Sequence, residues 1–352
     1  MSQVTETQTI SVVKGDDFKV INKMVFILRR FMRNKLAVFC LGLFVLMFLF
    51  GMFGQHFTSY TPTQIDYMAL GEEPSATHFF GTNAAGNDLY AQMVEGVRVS
   101  LLIGVVVGTT SIAISAVYGC IMAYFGGWID KVMLFILETM IMVPSLLILA
   151  IAMNSGIGKE IQKNVPAWIV LSAVLIIFNW MSPARLIRAM GQSLIGRDYV
   201  KGARYMGVHP FKIVLRHLIP NIGSLLVLEF TRGIMYAVLA EVVYSFIGIG
   251  IRYPNYSLGS LIAEAAAQIN TLPHMFWFPI IFFFLIVAPL AFMNDGLRDA
   301  FDPTSMSVGS VKNRKKNKKA QKIKTVKPAE SLTTAESDTS ESETKKEEVK
   351  NS

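Results

Sequence analysis

Cysteine is scarce in this sequence, with only Cys40 and Cys120 among 352 residues. Both cysteines fall inside apolar runs, so they do not form a disulfide framework of the kind found in small secreted domains. Nor do two isolated cysteines in apolar segments resemble a zinc site. We therefore expect neither a metal site nor a cofactor.

Charge is also in short supply, at 16% of residues, whereas hydrophobic residues make up 52%. This composition is too apolar for an ordinary soluble protein of this length. Several apolar runs approach the roughly 20 residues that a helix needs to cross a bilayer. The sequence predicts an all-α polytopic membrane protein with six spans near residues 36–53, 97–118, 132–153, 165–181, 222–247 and 276–292.

The net charge of +8 would also suit a nucleic-acid-binding protein. However, the basic residues cluster beside the apolar spans and in the C-terminal tail, which is the distribution that the positive-inside rule predicts for a membrane protein. We therefore expect no nucleic-acid partner.

The basic residues also predict the topology. Arg29, Arg30, Arg33 and Lys35 precede the first span and are expected to hold the polar N-terminus, residues 1–24, in the cytoplasm. No small-residue cleavage site follows, so we expect an uncleaved span and not a signal peptide. Six spans then place both termini in the cytoplasm of a multi-pass protein of the plasma membrane.

The C-terminal residues 304–352 have a different composition. A basic run over residues 312–327 is followed by acids mixed with Ser, Thr and Lys over residues 330–348. Dense charge with low hydrophobicity predicts a disordered cytoplasmic tail. Its basic half carries the charge that anionic lipids attract.

The first loop, residues 55–96, contains no Lys or Arg, which marks it as exported. Within it, the glycines and asparagines of residues 78–89 predict a tight turn that includes Gly81 and Gly86. Asp88 is expected to cap the helix that follows.

The stretch over residues 198–221, within a predicted cytoplasmic coupling loop over residues 184–221, is the longest polar interruption in the second half of the chain. Its pattern predicts two short amphipathic helices. Asp198 is expected to cap the first helix, and Gly207 supplies the backbone freedom that ends it. Pro210 fits the first turn of the second helix, which Pro220 is expected to end.

This stretch resembles the cytoplasmic EAA loop of permease subunits of ATP-binding-cassette (ABC) importers. Ala203, Gly207 and the ending over residues 218–221 match that pattern, whereas Lys201 and Gly202 replace its Glu-Ala pair. The resemblance implies that the loop forms a coupling helix seated in a cleft of an ATPase subunit. The candidate coupling residues are Asp198, Lys201, Gly202, Ala203, Gly207, His209, Pro210 and Pro220.

The resemblance extends over about residues 26–303, including the basic start at residues 29–37 and the ending at residues 294–303. These features look like the second (C-type) permease of dipeptide and oligopeptide importers, whose GTD…GRD segment the first loop resembles. The family's type I ABC importer permease fold (MetI-like) is then expected over residues 25–303. The candidate residues of the external loop are Gly81, Thr82, Gly86 and Asp88.

The family resemblance also implies a set of partners. A second homologous permease, two cytoplasmic ATP-binding subunits and an extracellular solute-binding lipoprotein are expected, with a peptide as the transported substrate. Nickel and glutathione importers share the same permease pattern and remain alternatives for the substrate.

The energy source has to be another chain. The Walker-like fragment at residues 156–160 has Met153 where the first glycine belongs and Glu160 where magnesium needs Ser or Thr. We therefore expect no catalytic residue and no enzyme activity in this chain.

A proton-coupled secondary transporter is the alternative from a different class. Glu138, Glu229 and Glu241 lie in or near spans, where ionisable residues can relay protons. Glu229 and Arg232 are three residues apart, however, which predicts an ion pair along one helix face and not a proton path.

Overall fold

The structure, a computed structural model, describes residues 23–301. Most of the predicted N-terminal region 1–24 and all of the predicted tail 304–352 therefore lie outside the described residues. Within residues 23–301 the chain is helical, and its only extended pairing is two isolated bridges. The α-helices are α1 (Lys23–Phe31), α2 (Lys35–Phe53), α3 (Leu89–Phe125), α4 (Gly127–Ile141), α5 (Ser145–Asn154), α6 (Gly156–Asn164), α7 (Ala167–Asn179), α8 (Met181–Ile195), α9 (Asp198–Tyr205), α10 (Pro210–Ile213), α11 (Ile219–Asn221), α12 (Gly223–Phe246), α13 (Leu258–Ala266) and α14 (Pro273–Phe301).

Six of the described segments are long and apolar enough to cross a membrane when bent pairs are included. Four are continuous, namely Lys35–Phe57, Leu89–Phe125, Ala167–Ile195 and Pro273–Phe301. Two further candidates are pairs bent at a break, α4 with α5 by 67° and residues 210–221 with α12 by 75°. The all-α polytopic fold is confirmed, and the six predicted spans correspond to these segments.

Proline explains why one of the predicted spans is broken. The predicted span over residues 132–153 is broken at Pro144, which stands at the start of α5 and cannot donate a helix hydrogen bond. In contrast, Pro279 and Pro289 lie inside α14 without ending it. Membrane helices tolerate interior proline because neighbouring helices compensate for the lost bond.

Helix α3 forms the centre of the bundle and packs against α2, α7, α8 and α12. Glycine allows two of these contacts to be close. A Cβ atom added at Gly108 would lie 2.9 Å from Cγ1 of Ile234 in α12, and one at Gly119 would lie 2.6 Å from the carbonyl oxygen of Ala184 in α8. Small residues bring helix backbones together in membrane proteins in this way. As a result, α3 is fixed tightly to α8 and α12, the two helices that border residues 196–222.

Candidate functional site

Residues 196–222, which we call the interspan segment, connect α8 to α12. Helix α9 ends in a Schellman turn at Gly207, whose φ is +73°. The Gly207 N–H donates to the Arg204 carbonyl and the Val208 N–H donates to the Ala203 carbonyl, both at 3.1 Å. These two bonds satisfy carbonyls that the helix leaves free. The turn fixes the direction in which the chain leaves α9, as the sequence predicted for Gly207.

The start of α9 differs from the prediction. Arg197 occupies the N-cap position with extended backbone, and Asp198 is the first helical residue, with no cap hydrogen bond from a described side chain. The expectation that Asp198 caps α9 is therefore wrong by one position. Its carboxylate still lies in the first turn, where the helix dipole favours an anion.

The second half of the interspan segment is one irregular helical run. Pro210 occupies the first turn of α10, as predicted. A π-helical turn over residues 214–218 follows, and the helical run continues through Pro220 in α11, so the expectation that Pro220 ends the second helix is wrong. The wider π turn lets the helical run reach past a proline that would break a regular α-helix.

One face of the interspan segment is packed against the bundle. Val200 and Ala203 of α9 are buried at 1% and 3% exposure and belong to a cluster with Ile213 and Leu218. Tyr124, at the end of α3, belongs to the same cluster. The segment is thus held on the bundle through α3, and only its other face is open.

The open face carries four exposed apolar side chains among charged ones such as Lys201, Arg204 and Lys212. Tyr205 and Met206 are 89% and 78% exposed, and Phe211 and Leu215 are more than half exposed. We call these four residues the apolar face. His209 stacks on Phe211, with ring centroids 5.8 Å apart. Exposed apolar side chains of this kind are candidates for a contact with a protein partner.

The remaining candidate coupling residues lie in the same interspan segment. Asp198, Lys201 and Pro220 are exposed, and a Cβ atom added at Gly202 would meet no atom of the described chain within 4 Å. Ala203 is the exception because it is buried and supports the segment from beneath. The structure therefore brings the predicted residues together, with most of them accessible.

An ion pair that the sequence did not predict braces the helix leading into the segment. Arg188 of α8 donates from Nε and Nη2 to the two carboxylate oxygens of Asp130 in α4, at 2.5 and 2.6 Å. Both side chains are mostly buried. Bidentate pairing fixes orientation as well as distance. The position of α8, and with it the start of the interspan segment, is thereby tied to α4.

The opposite end of α3 carries the external-loop residues. With 37 residues, α3 is about 55 Å long, so this end is remote from the interspan segment. Asp88 caps α3 by accepting from the Ala91 N–H at 2.9 Å, which confirms the predicted cap. Its other oxygen lies 3.0 Å from Nδ1 of the buried His78.

The predicted turn is present as well. Gly81 and Gly86 have φ angles of +78° and +84°. Thr82 donates its hydroxyl hydrogen to the Ala69 carbonyl at 2.5 Å and accepts from the Glu72 N–H at 2.8 Å. The four predicted residues thus form the framework of the loop before α3.

Residues from α13 and α14 complete this end of the molecule. The Thr82 carbonyl oxygen lies 3.1 Å from Nε2 of His274, and Asn83 donates to Glu264 at 3.4 Å. Surrounding protein atoms restrict hydration of the Glu264 carboxylate and raise its pKa, an effect that the Asn83 hydrogen bond opposes. Burial raises the pKa of Tyr256 to about 12. Sequence reasoning missed His274 and Glu264 because their partners lie more than 180 residues away.

The acidic residues of α12 are both engaged. Glu241 is fully buried and accepts from Ser100 at 2.7 Å and from Ser245 at 2.8 Å. Glu229 accepts from Arg232 Nη1 at 2.9 Å, which confirms the predicted ion pair. These contacts account for both carboxylates as parts of the bundle's internal bonding.

A helical bundle with up to six candidate spans, on which the interspan segment is packed, defines a polytopic membrane protein. Residues 115–306 match the family described as binding-protein-dependent transport system inner membrane component. Residues 26–74 match the N-terminal TM domain of oligopeptide transport permease C. The chain belongs to the family of binding-protein-dependent inner membrane transport components.

Curated relatives agree with this assignment. The chain is 37% identical over 287 residues to the oligopeptide transport system permease protein OppC of Mycobacterium tuberculosis, covering 82% of this chain and 97% of the relative. It is 33% identical to OppC of Haemophilus influenzae, covering 78% and 86% of the two chains. It is also 31% identical to the glutathione transport system permease protein GsiD of Pectobacterium atrosepticum, covering 78% and 89%.

Proposed function

We propose that this chain is one of two homologous permease subunits of an ABC importer that takes up peptides. Two ATP-binding subunits in the cytoplasm supply the energy, and a solute-binding lipoprotein outside delivers the substrate. The observation that carries the proposal is the interspan segment, which presents an apolar face on a rigid support. The names of the OppC relatives support the peptide as substrate.

The proposed mechanism follows from what the segment is attached to. An ATPase subunit that grips the apolar face and moves when ATP binds would pull on α8 and α12 together, because both are packed on α3. Rigid-body rocking of a helical bundle is an established way to alternate access between two sides of a membrane. No step in this mechanism requires a catalytic group from this chain.

The proposed orientation places the interspan segment and both termini in the cytoplasm. The basic residues Arg29, Arg30 and Arg33 beside the first span support this choice. Labelling can test it because Cys40 and Cys120 are both buried. Ser193→Cys should react with an impermeant maleimide only in inverted vesicles, and Glu73→Cys only in intact cells. The reverse pattern would contradict the proposed topology.

The function itself is tested by reconstitution. The complete complex should import a tripeptide into proteoliposomes when ATP is supplied on the side of the ATPase subunits, and it should not respond to a proton gradient alone. Uptake driven by the proton gradient without ATP would overturn the proposal in favour of a secondary transporter. Glutathione and nickel belong in the same assay, because the GsiD relative is named for glutathione.

A further inference from the structure

Arg232 occupies an unusual position for a cation. Helix α12 starts at Gly223, at the 75° bend that follows the interspan segment. Arg232 comes nine residues later, about 14 Å along the helix axis. For a span that begins with α12, a hydrocarbon core about 30 Å thick places Arg232 close to the middle of the bilayer.

The Arg232 side chain is nevertheless not enclosed by this chain. It is 44% exposed, and Tyr236, one turn further on, is 47% exposed. Both residues lie on one stripe of α12, which continues with the exposed apolar residues Val243 and Ile247. An arginine at this depth is too costly to face lipid, and such residues face protein or a water-filled cavity.

Neighbouring side chains hold the guanidinium in place. Nη1 donates to Glu229 at 2.9 Å, and the guanidinium carbon lies 5.9 Å from the centre of the Tyr236 ring. Glu229 is only 8% exposed, so its carboxylate is buried in the bundle whereas the arginine is partly open. Arginine has five N–H donors in a planar fork. Glu229 uses one edge of the fork, and other donors remain for a ligand on the exposed side.

We propose that Arg232, backed by Glu229 and flanked by Tyr236, binds the terminal carboxylate of a peptide as it crosses the membrane. This inference rests on the proposed function. The guanidinium fork matches a carboxylate with two parallel hydrogen bonds. Glu229 balances the charge when no peptide is present, so the site remains neutral overall between transport cycles.

The position of Arg232 within a membrane span favours a water-filled passage, because ionisable residues inside spans mark substrate pathways. Subunit interfaces also contain Arg and Tyr, so a contact with the second permease is the alternative that the test below separates. The half of the stripe with Arg232 and Tyr236 is polar, whereas the half with Val243 and Ile247 has the apolar character of an interface. The polar half therefore marks the part that substrate passes, and the apolar half suits the second permease.

The test compares trialanine with trialanine amide, which lacks the terminal carboxylate. Uptake is measured in proteoliposomes with the complete complex, and each variant is compared with the parent for the same peptide. Arg232→Gln should raise KM for trialanine by roughly tenfold or more, the loss expected for charge-assisted hydrogen bonds. It should leave uptake of the amide close to the parent value. Arg232→Lys keeps the charge without the fork and should be intermediate.

Two further variants sharpen the result. Glu229→Gln removes the competing carboxylate and should lower KM for trialanine but not for the amide. Arg98 of α3 is the matched control, because it is also exposed and pairs with an acid three residues away, Glu95 at 3.6 Å. The Arg98→Gln variant should take up trialanine and trialanine amide with the same KM values as the parent.

The outcomes distinguish failure of the Arg232 inference from failure of the proposed transport function. Equal losses for both peptides with Arg232→Gln, or losses that follow poor co-purification of the second permease, would make Arg232 an interface residue and overturn the inference. Unchanged uptake of both peptides would also overturn it. If the parent complex imports neither peptide, the proposed function fails and the inference falls with it.

Discussion

Gly207 and Gly202 offer a matched pair of substitutions with opposite expected effects. Gly207 has a φ of +73°, and a methyl group added there would meet no described atom within 4 Å. Gly207→Ala therefore tests the backbone conformation alone. The left-handed conformation should destabilise the turn in this variant by about 1–2 kcal/mol. Gly202 lies inside α9 with equally open surroundings, so Gly202→Ala should stabilise that helix by roughly 0.5–1 kcal/mol.

Amide hydrogen exchange measures both effects in the assembled complex. The N–H groups of Gly207 and Val208 close the Schellman turn. Each 1.4 kcal/mol corresponds to about a tenfold change in an equilibrium constant. Residue 207 and Val208 should therefore exchange about tenfold faster in Gly207→Ala and somewhat more slowly in Gly202→Ala.

Peptide transport should fall as the Gly207 turn is destabilised. We expect ATP-driven peptide uptake to fall in Gly207→Ala and to be abolished in Gly207→Val, because a β-branched residue tolerates positive φ least. The amount of protein in the membrane should not change, since a Cβ atom at either position would meet no described atom within 4 Å. Uptake and exchange in Gly207→Ala that match the parent would refute the claim that this turn sets the coupling geometry.

Three other predictions concern charge. Lys201→Glu should lower peptide-stimulated ATP hydrolysis below that of Lys201→Ala if Lys201 faces an acidic patch of the ATPase; hydrolysis at or above the parent level would make Lys201 a solvated position. Asp130→Asn leaves Arg188 without its ion pair and should cost about 3 kcal/mol, measured as a lower thermal unfolding temperature of the purified complex; an unchanged temperature would show that the pair does not brace α8. Deletion of residues 312–352 should leave uptake nearly unchanged, because a densely charged sequence with few apolar residues adds little packing; a large loss at equal expression would show that these residues bind an essential partner.

Local patterns in the sequence predicted local structure well. The Gly207 stop, the Pro210 first turn, the Asp88 cap and the Glu229–Arg232 pair each depend on residues within four positions. The Asp198 cap was wrong by one position because Arg197 adopts the extended backbone that begins α9. A one-residue shift at a helix end lies within the ordinary uncertainty of such boundaries.

Contacts between distant residues could not be predicted from one sequence. Asp130 and Arg188 are 58 residues apart, and Ser100 and Glu241 are 141 residues apart. Their pairing depends on how α3, α4, α8 and α12 pack. The exposure of Tyr205 and Met206 could not be predicted from the sequence either, because hydropathy alone does not tell which side of a short helix is buried.

Site-specific crosslinking tests the central claim, that the interspan segment is where the ATPase docks. Met206→Cys places a thiol in the apolar face, and Ser193→Cys places one on the exposed side of α8 as a control; Cys40 and Cys120 are buried. Met206→Cys should crosslink to a cysteine in the cleft of the ATPase subunit, with a yield that changes when ATP binds, and Ser193→Cys should not. A Met206→Cys thiol that stays freely reactive in the assembled, ATP-hydrolysing complex and forms no crosslink would contradict the account.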